Sequence, residues 1–192
     1  LTLLVIFIIA GIALKAISAA FLTALIAILA AVGMMGAAGY MGVIINAVTS
    51  NAPLMLFILS IAHCVHIIST QRQQMRSGIE KKDAIIESLR VNLQPVFITS
   101  ATTAVGFLSM HFSDSPPFRE LGYMLAAGNL IAFVNAVLVL PALLAILPAK
   151  VQQKETYFSK SLMEKLSNFV IVKQKMLLPV SSIVIVCLLL GI

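Results

Sequence analysis

Residues 60–68, S-I-A-H-C-V-H-I-I, and residues 94–110, Q-P-V-F-I-T-S-A-T-T-A-V-G-F-L-S-M, decide how this chain is read. The first stretch sets His63 and His66 inside an apolar run long enough to be a helix. The second follows a proline with four hydroxyls, Thr99, Ser100, Thr102 and Thr103, in another apolar run. Around them lies a chain of 192 residues that is 60% hydrophobic and 10% charged, with a mean hydropathy of +1.07. A water-soluble domain carries about 25% charged residues, so this polypeptide is built for lipid. The titratable and hydroxyl groups therefore sit where a bilayer makes them costly.

Crossing ~30 Å of hydrocarbon takes about 20 apolar residues. That ruler yields six candidate spans, at about 1–14, 20–46, 53–71, 95–112, 120–147 and 176–192. The expected fold is an all-α membrane protein, with residues 1–148 as a transmembrane bundle. Residues 149–175 are expected to be a cytoplasmic linker with an interfacial helix around Leu162, Leu166 and Phe169, and residues 176–192 the start of a further span. Leu1 opens inside an apolar run without a basic leader or a cleavage site, so a signal peptide is not expected. A piece of a longer membrane protein is. Cys64 and Cys187 both fall in apolar runs and imply no disulfide framework.

The charges give an orientation. If the spans alternate, twelve of the thirteen basic residues fall on one side: Lys15, Arg72, Arg76, Lys81, Lys82, Arg90, Lys150, Lys154, Lys160, Lys165, Lys173 and Lys175. Arg119 alone falls on the other, beside Asp114 and Glu120. Cytoplasmic loops carry such an excess of Lys and Arg, so segments 72–93 and 149–175 are expected in the cytoplasm. The net charge of +6 then faces anionic lipid head groups. A nucleic-acid partner is not expected, because no aromatic residues interleave with these charges.

Within the second span, Gly33, Gly36, Gly39 and Gly42 alternate with alanines. Small residues let helix backbones approach closely in a membrane, and Gly106 offers the same in the 95–112 span. A tight helix–helix seam is the plain reading of this pattern; a hinge or substrate groove is the alternative. Met34, Met35 and Met41 suit adaptable packing. Asn46 to Pro53 is expected to turn, with Pro53 in the first turn of the next helix. Segment 78–93 repeats Ile79, Ile86, Leu89 and Leu93 at helical spacing among charges, which predicts a short surface helix, with Pro95 starting the next span. Residues 113–119 are expected to form a tight loop, since Pro116 and Pro117 cannot continue a helix.

His63 and His66 stand three residues apart, a spacing that places both on one helix face. Imidazole has the reference pKa, ~6.5, closest to physiological pH, so a proton relay through His63, His66, Thr102 and Thr103 is one expectation. The other is that the histidines are packed polar residues and that the hydroxyls bond back to their own helix; taken together, Thr99, Ser100, Thr102 and Thr103 could instead line a water path or donate to a group on the His63 helix. Asn129 and Asn135 suit hydrogen bonds between helices. His111, at a span end, is expected to be solvated. A metal site is not expected, because no carboxylate and no further histidine lies in another span, and no cofactor is implied. Phosphate-binding loops and the usual hydrolase motifs are missing from the sequence. Neither ATP-driven pumping by this segment nor enzyme activity is expected, as no nucleophile–base pair is visible.

The order and spacing of several motifs resemble the RND superfamily of proton-driven exporters, in particular its lipid-exporting MMPL-like branch, which shares helices with sterol-sensing domains. Residues 60–68 run into Gln71-Arg72, Gly78 and D-A-I at 83–85. P-V-F-I-T-S-A-T-T-A-V-G-F-L-S-M at 95–110 follows, then P-P-F-R-E-L-G at 116–122 and L-P-A-L-L at 140–144. The T-T-x-x-G-F element at 102–107 with the downstream L-P-A-L-L is the more specific part. The resemblance covers about residues 1–148 and implies that they are spans two to six of the first half of such a transporter.

It also implies an exterior domain before Leu1, a second half after Ile192 and a bacterial inner-membrane location. Export of lipids or other hydrophobic compounds would be coupled to protons, with membrane lipids, the hydrophobic substrate and protons as partners. One departure stands out. The family's central helix usually carries an acid, often as D-S-x-H, where this sequence has His63 in H-C-V-H. Three readings stay open: His63 replaces the acid, the other half supplies coupling, or coupling is lost. Alternatives to export are a sterol-sensing-like receptor or scaffold without proton coupling, and an accessory subunit of protein export.

Overall fold

The computed structural model describes Gly11, residues 17–147 and, beyond them, positions 169, 172, 173, 179, 182, 186 and 187. The chain divides into two compact units, Leu1–Val151 and Gln152–Ile192. In the second, Lys173 Nζ stands 5.3 Å from the ring centre of Phe169. The expected spans at 1–14 and 176–192, and the linker helix between, lie outside the residues described continuously.

The first unit is a bundle of α1 (Ile17–Tyr40), α2 (Ala52–Arg76), α3 (Lys81–Leu108) and α4 (Pro116–Val134), which runs on through a widened turn into α5 (Leu140–Ile146). Among the described residues, four helical stretches, Ser18–Tyr40, Thr49–Arg76, Lys81–Phe112 and Pro116–Ile146, are long and apolar enough to cross a membrane. α2 and α4 pack on each other and on both remaining helices, with α1 and α3 flanking that central pair. Outward-facing Phe21, Val32, Val105 and Leu138 are each more than 60% exposed. Water would penalise so much bare hydrocarbon; a bilayer does not.

Two glycines set the helix ends. At the end of α1, Gly42 has φ +69°, its N–H bonds Gly39 O and the Val43 N–H bonds Ala38 O. At the end of α2, Gly78 has φ +88° and the same pair of bonds recurs, from Gly78 to Met75 O and from Ile79 to Gln74 O. This left-handed stop satisfies carbonyls that a helix end leaves bare, and glycine adopts it without penalty. The expected 20–46 span is thus corrected to end at Tyr40, and Gly42 is a helix stop rather than a packing residue. The next turn is organised by Asn46. Its Oδ1 accepts from the Val48 and Thr49 amides, the Thr49 hydroxyl accepts from its amide, and its Nδ2 donates to Glu120 Oε2 at 3.0 Å.

The prolines correct two further expectations. Segment 78–93 is not a separate surface helix: residues 81–108 form one helix with Pro95 inside it. Pro95 offers no N–H to Val91 O, but one lost bond does not break a helix held by packing on both sides of the proline. Ile79, Ile86 and Leu93 do point outward, as an apolar face meeting lipid would. The loop expected at 113–119 is shorter, because Pro116 and Pro117 open α4. Their missing N–H groups are ones that a first turn leaves unused in any case. Pro141 acts differently. Over Asn135–Val139 the helix widens, with the Leu140 N–H reaching Asn135 O five residues back. That turn lies directly before a residue with no N–H to give Val137 O and a ring that would crowd it.

The glycine pattern of α1 packs only in part. The buried face runs Leu22, Ile26, Ala30, Met34, Ala38, in steps of four. Gly33 lies beside it, where an added Cβ would meet Ile131 at 3.1 Å; Gly36 and Gly39 face outward, and like Gly106 they have nothing within 4 Å of such a Cβ. The closest approaches are on α4. A Cβ at Gly122 would come 2.5 Å from Phe107 O, and one at Gly128 2.8 Å from Met34 Cγ and 2.9 Å from Leu56 Cδ2.

Candidate functional site

Between two apolar clusters, α2, α3 and α4 bring together Ser60, His63, Ser100 and Asn129. All four are buried, with His63 the most accessible at 7%. Ser60 and His63 lie about one turn apart on α2 and share its inward face. On α3 the buried positions 84, 88, 92, 96, 100 and 104 recur every four residues, which carries Ser100 to that seam. Asn129 follows Gly128, whose bare backbone lets α4 approach α1 and α2.

Ser100 is the hub. Its Oγ stands 3.2 Å from His63 Nε2, and its carbonyl accepts a hydrogen bond from Asn129 Nδ2 at 2.7 Å. Three atoms of the centre have no hydrogen-bond partner: Ser60 Oγ, His63 Nδ1 and Asn129 Oδ1. Buried polar atoms left in this way cost about 1–3 kcal/mol each. Orphaned N–H groups are rarer than under-satisfied acceptors. The geometry therefore assigns the imidazole proton to Nε2, donating to Ser100, and leaves Nδ1 as a bare lone pair. Such a lone pair can accept a proton.

The other expected relay residues stand apart from this centre. His66 is exposed, since three residues turn a helix to within ~60° of the starting direction, not onto it. Thr102 is exposed and donates to Ile98 O and Thr99 O of its own helix, as Thr99 does to Pro95 O and Val96 O. Thr103 is half-buried. Cys64 is fully buried among apolar side chains. His111 is exposed and hydrogen-bonds the Tyr123 hydroxyl. Reading from sequence missed Ser60 and took Asn129 as a bridging amide, while for Ser100 it left open both a bond within its own helix and donation to a group on the His63 helix, which is the contact found. The four-residue rhythm of Ser88, Asn92 and Ser100 was the available signal.

Ser100 and His63 are a hydroxyl and an imidazole within hydrogen-bond distance, but with the proton on Nε2 the imidazole donates to Ser100 and does not serve as its base. Hydrolytic use would further need a group orienting His63 at Nδ1 and donors for an oxyanion. Nδ1 is unpartnered, and Ser100 sits inside α3, where backbone amides are engaged by the helix. Nearer the loop that joins α2 to α3, Ser88 Oγ donates to Ile67 O at 2.5 Å and Asn92 Nδ2 to Ser88 O at 2.8 Å. The first of these bonds ties α3 to α2, and the second stays within α3.

Comparison with known proteins agrees with the bundle and its motifs. The model of the MMPL family matches residues 1–165. This chain belongs to the MMPL family. A relative in Methanocaldococcus jannaschii, MJ1562, provisionally named as a membrane protein, is 27% identical over 108 residues, which are 56% of this chain. The aligned part is 28% of that relative's length, so the chain spans a fraction of the protein it matches. This MMPL-family chain is an integral membrane protein with an all-helical bundle.

Proposed function

We propose that this bundle is part of an RND-type exporter of lipids or other hydrophobic compounds, driven by the proton gradient, with His63 as a group that takes and releases the proton. The observation that carries this reading is the bare, buried Nδ1 of His63, held near the middle of a span by Ser100 in a chain of the MMPL family. The loop end rich in Arg72, Arg76, Lys81 and Lys82 would face the cytoplasm of a bacterial cell, by the bias of basic residues. Partners would be membrane lipid, the exported hydrophobic compound and the remaining domains of a longer chain. The bundle would act without a cofactor, as a transporter rather than an enzyme.

One observation favours a second reading, a sterol-sensing-like receptor or scaffold. The acidic side chains of the described residues, Glu80, Asp83, Glu87, Asp114 and Glu120, belong to loops and helix ends, so the polar centre holds no carboxylate. A test separates the two. Export of a hydrophobic substrate from cells carrying the whole protein is expected to be lost in His63→Ala, with membrane insertion unchanged. A protonophore should abolish the wild-type flux. Undiminished export by His63→Ala removes His63 from the mechanism. A wild-type chain that moves no substrate while still binding sterol supports the receptor.

A further inference from the structure

At the corner where α2 turns into α3, an open groove of about 440 Å³ is lined by Gln74, Ile79, Asp83, Ile86 and Glu87. Gln74 comes from the last turn of α2, Ile79 follows the Gly78 stop, and the other three stand on the first two turns of α3. The bond from the Ile79 N–H to Gln74 O closes this corner. The length of α3 sets the depth of the groove in a bilayer. Lys81–Phe112 is 32 residues, or ~48 Å at ~1.5 Å per residue, against ~30 Å of hydrocarbon. No Asp, Glu, Lys or Arg lies between Val91 and Phe112, whereas Lys81, Lys82, Asp83, Glu87 and Arg90 crowd the start. The uncharged part, ~33 Å long, matches the hydrocarbon, and the groove falls in the head-group layer at the Arg76–Lys81 end.

Asp83, Ile86, Arg90, Leu93 and Phe97 are all exposed and follow one another at three- and four-residue steps along one face of α3. Glu87 stands beside them, with Arg90 Nη1 3.8 Å from its Oε2, a loose pair that exposure to solvent keeps weak. From the head-group layer inward, that face is acidic, then basic, then apolar. A phospholipid that ends in a primary ammonium has the complementary order of cation, phosphate and hydrocarbon. Arg76, Lys81 and Lys82 nearby draw anionic lipid in general, but two carboxylates in the groove disfavour a head group with net negative charge. We propose that the groove binds a phospholipid with a primary-ammonium head group, in the leaflet that meets the Arg76–Lys81 loop. The ammonium lies between Asp83 and Glu87 and donates to their carboxylates, and Arg90 takes the phosphate. Ile79 and Ile86 pack on the glycerol backbone, and the chains run along Leu93 and Phe97. A trimethylated ammonium has no N–H to donate, so the same carboxylates discriminate against choline. The site requires neither export nor proton transfer at His63.

The experiment measures the lipid carried by the whole purified protein, by native mass spectrometry from micelles. The probes are dioleoyl phosphatidylethanolamine, dioleoyl phosphatidylcholine and dioleoyl phosphatidylglycerol. The wild type is expected to hold the ethanolamine lipid about ten-fold more tightly than the choline lipid, an effect the size of charge-assisted hydrogen bonds at a partly wet site. Asp83→Asn together with Glu87→Gln should remove that preference. Glu80→Gln makes the same kind of charge change outside the groove and should alter it by less than about two-fold. Ile86→Trp, which fills the groove and leaves every charge in place, should abolish the preference as well.

Equal retention of the ethanolamine and choline lipids, an unchanged preference in the doubly substituted protein, or an equal loss in Glu80→Gln would each overturn the proposal. So would tighter retention of the glycerol lipid than of the ethanolamine lipid, which would assign this surface to its basic residues. Binding of an oligolysine peptide that is tighter than the lipid's, and lost in the doubly substituted protein, would make the groove a docking place for a basic protein segment instead.

Discussion

The two apolar clusters that enclose the polar centre are equally dry but differently made. Toward the Arg76–Lys81 loop, the buried members include Leu22, Ile26, Ile67, Ile68, Ile85, Leu140 and Leu144. Toward the opposite loops they are Ala30, Met34, Ala38, Ala52, Leu56, Leu121, Met124, Leu125 and Ala132, without one β-branched side chain. Isoleucines lock into single rotamers and interdigitate. Methionines and alanines fill space without specifying it, and they let α4 approach its neighbours at Gly122 and Gly128. The same hydrophobicity thus yields a braced end and an adaptable end. In a membrane, where lipid is as apolar as leucine, such differences of shape rather than of polarity carry the packing energy.

Truncation tests that contrast most strongly. Ile68→Ala in the braced cluster is expected to cost about 4 kcal/mol of stability, whereas Met34→Ala in the adaptable one, where the neighbours can close in, should cost about 2 kcal/mol. Unfolding of the purified protein in mixed micelles measures both. Equal losses would mean that the two ends are alike in stiffness.

The glycines sharpen the comparison, because the neighbours that would have to yield differ. A methyl at Gly122 meets a backbone carbonyl of α3 that is fixed by its helix, while one at Gly128 meets the movable ends of Met34 and Leu56. Gly122→Ala should therefore destabilise by about 2 kcal/mol and Gly128→Ala by about 1 kcal/mol. The reverse order in the same unfolding measurement would show that Met34 and Leu56 yield no more readily than the α3 backbone.

The smallest effect concerns how the braced end is tied. Lys81 Nζ donates to Ala145 O at 2.6 Å and to Leu147 O at 2.8 Å. A cation in the first turn of its own helix is disfavoured by the helix dipole, and the same cation at the C-terminal carbonyls of α5 is favoured. Lys81→Met should lose about 1 kcal/mol, and Lys81→Arg, which keeps donors and charge, should recover most of it. A thermal unfolding series would settle whether this tie contributes to bracing.

Long apolar runs, the bias of basic residues and the prolines were enough to establish a helical membrane bundle from sequence, because a bilayer accepts few other solutions. Motif order sufficed for the MMPL resemblance, and His63 stood out as an ionisable group in an apolar run. Local sequence could not say which prolines interrupt. Pro95 sits inside a helix, Pro116 opens one and Pro141 follows a widened turn, and the outcome in each case depends on the packing around it.

Nor could it say which polar side chains meet. Ser60, His63, Ser100 and Asn129 come from three helices and up to 69 positions apart (129 − 60), and only the crossing of α2, α3 and α4 joins them. Helical spacing fixes how a side chain is turned about its own axis. What it faces is decided by the neighbour that packs there, and that is a property of the tertiary structure alone.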